Sequence, residues 1–504
     1  MYQFENRKNI SSFILSLEEK FPVTTWKFND IHIWPYLRLQ LFFYLIYKAE
    51  TKNVENVIVD HQNKVHEIYN PGFIEKAKNY MSLIFSAFKF RVWLKKLTPI
   101  HYLFVASDAH RVNYREKRFN RFFDPIVDIL IKKNNVKVIE YIENLNSNIY
   151  NDDLLIKYHE IIPLFTAYQK VNSKINHQES KNVFELKDYQ HFLDFLSEVD
   201  ATRNFSINYS IKKIRNIFSE DFNKYYSFFT VLLKKLNPNK IIVLCFYNFQ
   251  AMALVAAANR LNIQTIEMQH GPQPNEHLSY GNWLNMPEKG FDMLPRKFWC
   301  WDDHSKNIID KWAQKTKLYS AFNGGNTWID YWNNNQSDYK FMGYILYSLQ
   351  PEPVPIEQLF SRNIIEAIKN SNHQWFIRLH PRQINDKVKI EEILKQNDVL
   401  NLVNINEATN DPLPVLLTHS CIHVTHFSGS TIEADMLGVY TVLLDETGLF
   451  YFKDIVEKGN AEFINPLSDN FVSTFNQQVA KHSQNKSKKA VNKTQLDYDF
   501  IFNS

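Results

Sequence analysis

Four short stretches put residues able to move a proton or hold an anion directly after apolar runs: SDAHR (107–111), QHGPQ (269–273), LHPRQ (379–383) and HFSGSTIE (426–433). His270 follows IQTIEMQ and precedes a glycine that would let the chain turn sharply. With an unperturbed pKa of about 6.5, an imidazole there is suited to accept a proton at neutral pH. A structural histidine with satisfied hydrogen bonds is the competing reading. Asp108, His110 and Arg111 occupy the same kind of position after HYLFVAS, and Asp108 is the second candidate base. In the third stretch, Arg378 lies within a run that His380 ends, Pro381 stops it, and Arg382 begins the loop. Imidazole and guanidinium groups donate hydrogen bonds to phosphate oxygens, arginine in bidentate fashion. In the fourth, Ser428, Gly429, Ser430 and Thr431 open a short helical pattern. Hydroxyls and amides gathered at a helix start favour phosphate, although Ser430 or Thr431 could equally serve as a plain cap. Glu433 falls in the first turn, where it complements the helix dipole or accepts hydrogen bonds from a ribose diol.

These positions acquire meaning from the elements around them. HYLFVAS, VKVIEYI, KIIVLCF, IQTIEMQ and KFWCW read as buried strands, separated by helical patterns such as RFFDPIVDILIKKN and YNFQAMALVAAANRLN. A second series follows with FMGYILYSLQ, QWFIRL, CIHVT and YTVLL. Two successive runs of alternating strands and helices predict an α/β protein with two Rossmann-like doubly wound domains and a cleft between them, and ligands at the carboxyl ends of the strands. The expected divisions are a helical N-terminal extension over 1–100, a first Rossmann-like domain over 101–335, and a second over 336–504. The polar stretch YWNNNQSDYK marks the boundary, and the topology of about 150–235 is left unassigned.

At 504 residues, 45% of them apolar, with 39 Phe, 26 Tyr and 10 Trp, the chain can fill more than one core. A formal charge of +4 excludes the strong basic excess of a dedicated nucleic-acid binder. Cys245, Cys300 and Cys421 lie far apart in apolar runs, so neither a disulfide framework nor a CxxC metal site is expected. The N-terminus carries acids within its short apolar stretch and lacks a cleavage motif, and no run long enough to span a bilayer occurs. A cytoplasmic protein is expected. There is no HExxH and no DxD after an expected strand, so no metal and no cofactor is predicted. Of the 11 glycines only Gly72 precedes residue 271, which concentrates special turns in the second half.

Taken together, QHG, then FNGGN, then HP after a strand of the next domain, and a serine-rich helix start followed by Glu and LGVYTV resemble bacterial glycosyltransferases of GT-B architecture. The likeness is to enzymes that build capsule, O-antigen or teichoic-acid polymers. Capsule Kdo transferases, bacterial sialyltransferases and CDP-glycerol glycerophosphotransferases share comparable His-Pro and serine motifs. The resemblance covers about residues 240–450, and 100–140 faintly. It implies that His380, Ser428, Ser430 and Thr431 hold the donor phosphate, that Glu433 contacts the donor ribose and that His270 faces the acceptor. Arg378, Arg382 and Gly429 are further candidate donor contacts, and His110, Arg111 and Gln269 candidate acceptor contacts, on their positions alone. The glycerophosphotransferase pattern has Trp where this chain has Gln269, and an Asp after its serines where this chain reads GSTIEA. A sugar nucleotide is therefore the expected donor rather than a polyol phosphate.

The expected function is metal-independent transfer of a sugar from a nucleotide-sugar donor to a growing, glycan or lipid-linked acceptor of capsule, O-antigen or lipopolysaccharide type. The alternatives are a CDP-polyol phosphotransferase, a UDP-sugar 2-epimerase-like enzyme and a non-catalytic assembly protein. Within MSLIFSAFKFRVWLKKL, Met81, Ile84, Phe85, Phe88 and Val92 recur at helical spacing beside Lys89, Arg91, Lys95 and Lys96. That pattern suits an interfacial helix at the cytoplasmic face of the inner membrane, aided by the Lys-rich KHSQNKSKK, or else a core helix with a basic outer side.

Overall fold

The computed structural model describes residues 4, 6–50, 88–107, 110–114, 117–133, 138–143, 157–172, 182–334, 339–351 and 354–485. Asp108, residues 81–87 and residues 486–489 of the Lys-rich C-terminal stretch lie outside them. The chain divides into two compact units, 1–110 with 127–323, and 111–126 with 324–504. Both are α/β, and each is built on a parallel sheet, as expected of two Rossmann-like doubly wound units, with helices at the N-terminus.

In the first unit, a seven-stranded sheet runs in the order Ser320–Asn323, Lys297–Cys300, Gln264–Met268, Lys240–Val243, Tyr102–Ser107, Val138–Glu143 and Lys157–Glu160. Every neighbouring pair is parallel. Strand order reverses between Tyr102–Ser107 and Lys240–Val243, so the crevice at their carboxyl ends is the natural ligand position. The unassigned middle supplies helices Ile161–Asn172, Tyr189–Ala201 and a helical run from Ile211 to Leu236, together with the edge strand at 157–160.

The first hundred residues are not an extension apart. Helix Arg7–Lys20, capped by the Asn6 side chain on the Asn9 amide at 3.0 Å, buries Ile10, Phe13, Ile14 and Leu17. Trp26, Trp34, Leu37 and Phe42 join Leu103, Ile241 and Val243 in one core. Helix Trp34–Glu50 is apolar nearly all round, which suits a helix buried on most sides. Within it Arg38 is fully buried and paired with Glu18, which also accepts the Trp34 indole at 2.9 Å. The Arg38 guanidinium then reaches the carbonyls of Leu278, Gly281 and Asn282 at 3.2, 2.8 and 3.1 Å and stacks 4.0 Å from the centre of the Trp283 ring. At Gly281 a Cβ would sit 2.1 Å from the Asn275 carbonyl oxygen, so only glycine lets this loop close.

The second unit holds a six-stranded parallel sheet in the order Val403–Asn404, Trp375–Arg378, Tyr344–Ser348, Ser420–Thr425, Thr441–Leu443 and Ala461–Phe463. Its order reverses between Tyr344–Ser348 and Ser420–Thr425. Gly438 turns the chain into Thr441–Leu443 with φ 67°, as its place in LGVYTV suggests. Residues 111–126 belong here although they follow the first strand of the other sheet. Their antiparallel hairpin, Arg111–Tyr114 with Lys117–Asn120, places Phe119 against Trp328 and Tyr331, and the Phe122 carbonyl accepts the Thr327 hydroxyl at 2.9 Å. The boundary therefore falls before Gly324, ahead of YWNNNQSDYK, because helix Thr327–Asn334 packs with this hairpin.

In the helix at 88–96, Phe90 is buried against Trp93, Tyr168 and Phe228. Lys89, Arg91, Lys95 and Lys96 are exposed, and so is Phe88, at 64%. Among the described residues, no helix is long and apolar enough to cross a membrane.

Candidate functional site

Beyond strand Gln264–Met268 of the first unit, His270 Nε2 stands 3.1 Å from the Tyr247 hydroxyl and its Nδ1 stands 3.6 Å from Glu267 Oε1. Its ring meets that of His110 edge-on, with centroids 5.7 Å apart. Glu267 points inward from the strand and is fully buried. Oε1 accepts the Cys245 amide at 3.2 Å and the Tyr280 hydroxyl at 3.0 Å, and Oε2 accepts the Phe246 amide at 3.0 Å. Burial pushes this carboxyl up to about 8, against the pull of Tyr280 and the two amides. His277 lies in the same aromatic group with Tyr247, Tyr280 and Phe43. Burial, with Arg7 and His270 nearby, drives its imidazole down to about 3.

Two expectations about the neighbouring residues need correction. Gln269 is fully buried, with its amide spent on the Gly271 carbonyl (3.0 Å), the Ser305 hydroxyl (3.2 Å) and the Trp301 amide (2.7 Å). It braces the loop from within and is not placed as an acceptor contact. Arg111 too is buried, which does not suit an acceptor contact, and the division between the two units falls between it and His110. Gly271 does not adopt a positive φ, and nothing lies within 4 Å of where its Cβ would be, so the turn after His270 does not itself demand glycine. Asp302 caps helix Asp303–Ala313, accepting the Ser305 amide at 2.7 Å.

The second unit gathers positive charge at the end of strand Trp375–Arg378. His380 Nδ1 accepts the Arg382 amide at 3.1 Å, and the His380 amide donates to Gln383, whose own amide reaches the Gln350 carbonyl at 3.1 Å. The loops after two adjacent strands are thus tied together. Burial, then Arg382, Arg121 and Arg378, lowers His380 to about 4. At neutral pH the ring is uncharged, its Nδ1 is an acceptor, and Nε2 must carry the proton as a donor. Arg378 is anchored by the carbonyls of Ala408 and Asp411, both at 2.7 Å, and burial lowers it to about 10. Arg121, from the hairpin segment, has a buried Nε with no hydrogen-bond partner. Both guanidiniums act on Glu433, whose carboxyl burial nevertheless raises. Arg121 was not singled out in the sequence, since RFNRFFDP shows no spacing that marks it and its placement depends on a segment joining the other unit.

The serine-rich start behaves differently from expectation. Helix Ser430–Met436 has seven residues, begins after Gly429 at φ −57°, and has no side-chain cap. The Ser430 hydroxyl is buried on His423 Nε2 at 3.2 Å, and His423 also contacts Ser348 at 3.1 Å and Thr441 at 3.0 Å. Thr431 is fully buried with its hydroxyl unpartnered, and the Ser428 hydroxyl accepts the Ser430 amide at 3.4 Å. In a helix this short, the three arginines outweigh the dipole as the source of positive potential.

No family model matches the chain, and no curated protein matches it. Among solved structures, it is similar to the Neisseria meningitidis UDP-GlcNAc 2-epimerase bound to UDP-GlcNAc, at 16% identity over 80% of this chain and 100% of that one, with a TM-score of 0.46. It is similar also to S. aureus MnaA with UDP, at 14% identity over 80% and 95%, TM-score 0.45. The glycotransferase of kitacinnamycin is similar at 10% identity over 77% and 92%, TM-score 0.40.

Proposed function

We propose that the protein is a glycosyltransferase that moves a sugar from a nucleotide-sugar donor to a growing surface glycan without a metal ion. One observation carries this reading: Arg121, Arg378, Arg382 and His380 converge electrostatically at the strand ends of the second sheet, with Glu433 as their acidic counterpart. Such a cluster is suited to a diphosphate that leaves, because fixed donors stabilise charge as it develops. His380 Nε2–H and the guanidiniums take the phosphates, and Glu433 accepts from the ribose. In the first unit, His270 Nε2 takes the proton of an acceptor hydroxyl as its oxygen bonds to the sugar carbon and the carbon–phosphate-oxygen bond breaks. The open space beside Gly271 gives an acceptor close approach to the backbone there.

The test is a panel of UDP-, GDP- and CMP-sugars and CDP-polyols, with nucleotide release followed with and without glycan acceptors and with EDTA. Acceptor-dependent release that EDTA leaves intact is expected. Interconversion of sugar nucleotides without release would assign an epimerase, release from CDP-polyols alone a phosphotransferase, and activity lost to EDTA and restored by Mg²⁺ would sink the metal-free mechanism. Surface-glycan acceptors also make contact with the inner membrane from the cytoplasmic face part of the proposal.

A further inference from the structure

We propose that His426 and Asp445 determine which sugar the second unit accepts, by receiving hydrogen bonds from hydroxyl groups of the sugar that the nucleotide carries. The inference rests on the reading of the protein as a sugar-nucleotide enzyme and adds two residues to it. His426 directly follows strand Ser420–Thr425, and Asp445 lies just beyond Thr441–Leu443, the next strand of the same sheet. Both therefore stand at carboxyl ends, and His426 does so where the strand order reverses. The chain after Leu443 folds back on the histidine: the Leu444 amide donates to the Thr425 carbonyl at 2.9 Å, and at Gly448 a Cβ would lie 3.1 Å from the His426 carbonyl oxygen.

The hydrogen bonds of His426 set the polarity of its ring. The Tyr347 hydroxyl stands 2.8 Å from the Leu359 carbonyl, a group that only accepts, so its one proton is spent there. His426 Nδ1, 3.4 Å from the same hydroxyl oxygen, must then carry a proton and donate it. Burial lowers the imidazole to about 4 against the pull of Asp445, so the ring is uncharged at neutral pH. Nε2 is left with a lone pair and, among the described residues, without a partner. Asp445 is divided in the same way. Its Oδ1 accepts the Thr447 amide at 2.8 Å, while Oδ2 makes no hydrogen bond or ion pair among the described residues. This polarity is opposite to that of His380, whose Nδ1 accepts and whose Nε2 carries the proton. Donors suit phosphate oxygens, and two open acceptors suit hydroxyl groups. A cation would need more ligands, and no group of three His, Cys, Asp or Glu side chains able to hold one occurs among the described residues.

The experiment is calorimetric titration of the wild type, His426→Phe and Asp445→Asn with UDP against UDP-GlcNAc, GDP against GDP-mannose and CMP against CMP-N-acetylneuraminate, each repeated in EDTA. Phenylalanine keeps a ring beside Tyr347 and removes the lone pair; asparagine keeps the acceptor for Thr447 and puts an N–H donor in place of Oδ2. For the pair of ligands that binds, each substitution is expected to weaken the sugar nucleotide about tenfold and to leave the parent nucleotide unchanged. Equal losses for the two would assign the residues to the ribose or to the fold and overturn the proposal. Unchanged affinity for both overturns it too, as does EDTA reproducing the effect of the substitutions in the wild type. Should His426→Phe fail to fold, nitrogen-15 NMR of the histidine-labelled wild type reads the same point, with the resonance identified by its loss in His426→Gln. Nδ1 must be protonated and Nε2 bare, and the Nε2 shift must move with the sugar nucleotide and not with its parent. The reverse tautomer sinks the proposal. Sugar discrimination without transfer to any acceptor would retain the pair and reject the transferase reading alone, whereas absence of binding by every sugar nucleotide rejects both.

Discussion

The Arg382 amide donates to His380 Nδ1 at 3.1 Å, and this single bond decides which nitrogen of the ring can serve an anion. With Nδ1 occupied, Nε2–H is the donor. His380→Ala is therefore expected to weaken binding of a nucleoside diphosphate by about 1–3 kcal/mol, the usual loss for a hydrogen bond to a charged group. Arg121→Gln should do the same, and by more at low salt than at high. Calorimetric titration with the nucleoside diphosphate and with the bare nucleoside checks both: equal losses for the two ligands would remove the phosphates from this cluster.

Ser430 and Thr431 should separate stability from binding. Ser430→Ala leaves His423 short of one buried partner and is expected to lower stability by about 1 kcal/mol. Thr431→Val replaces an unpartnered buried hydroxyl with a methyl of similar shape and should be neutral or stabilising. Denaturant melts measure these. If Thr431→Val weakens nucleotide binding, the hydroxyl is a ligand contact after all.

Gly271→Ala is expected to leave thermal stability unchanged, since the backbone there is not left-handed and the Cβ meets nothing within 4 Å. In an enzyme whose acceptor approaches this loop, the same methyl should raise the acceptor KM while the donor KM stays the same. Steady-state kinetics in both substrates gives the answer.

Stability should vary with pH in two opposed ways. Burial depresses His277, His380, His423 and His426 to about 3, 4, 3 and 4. Below the unfolded histidine value of about 6.5, the unfolded chain binds protons that the folded one refuses, so stability falls as the pH drops from there toward 4. Glu267 works in the other direction. Held near 8, it keeps a proton that the unfolded chain has lost, so its contribution declines as pH rises from about 4.5 through 8. Urea unfolding of the wild type and Glu267→Gln should show the alkaline decline flattened in the variant and the acid decline unchanged.

Helix 88–96 packs Phe90 inward and turns Lys89, Arg91, Lys95 and Lys96 outward beside exposed Phe88. The two readings of this stretch are therefore compatible on opposite sides of one helix. Each basic residue near an anionic surface is worth about 1 kcal/mol. Changing all four to Gln should abolish low-salt sedimentation with anionic liposomes without shifting the melting temperature. Absence of sedimentation by the wild type would leave the core-packing role alone.

Much of this architecture could be read from periodicity. The strands at 102–107, 240–243, 264–268, 344–348 and 420–425 are buried on both faces and appear in the sequence as short continuous apolar runs. The two-residue strand Val403–Asn404 and the three-residue strand Ala461–Phe463 were not, because an edge strand that short leaves no pattern. His270 and His380 stood out because each follows a strand. Glu267 and Arg121 did not. An acid inside a strand reads as an interruption until the Cys245–Phe246 amides are seen around it, and Arg121 acquires its neighbours because its segment belongs to a unit formed from residues more than two hundred positions later. For the same reason Ser430, conspicuous in sequence, turned out to be committed to His423.

Arg38 links helix Trp34–Glu50 to carbonyls 240 and more residues further along the chain. On a ribosome, the first two helices therefore emerge long before the loop whose carbonyls accept from this guanidinium has been made. Until then Arg38 must remain hydrated, and with it Trp26 and Trp34 cannot settle into their final core. Contacts of such long reach are slow to form. The newborn N-terminal half would thus spend its synthesis with large aromatic surfaces uncovered, which makes it a natural client for chaperones that bind nascent chains.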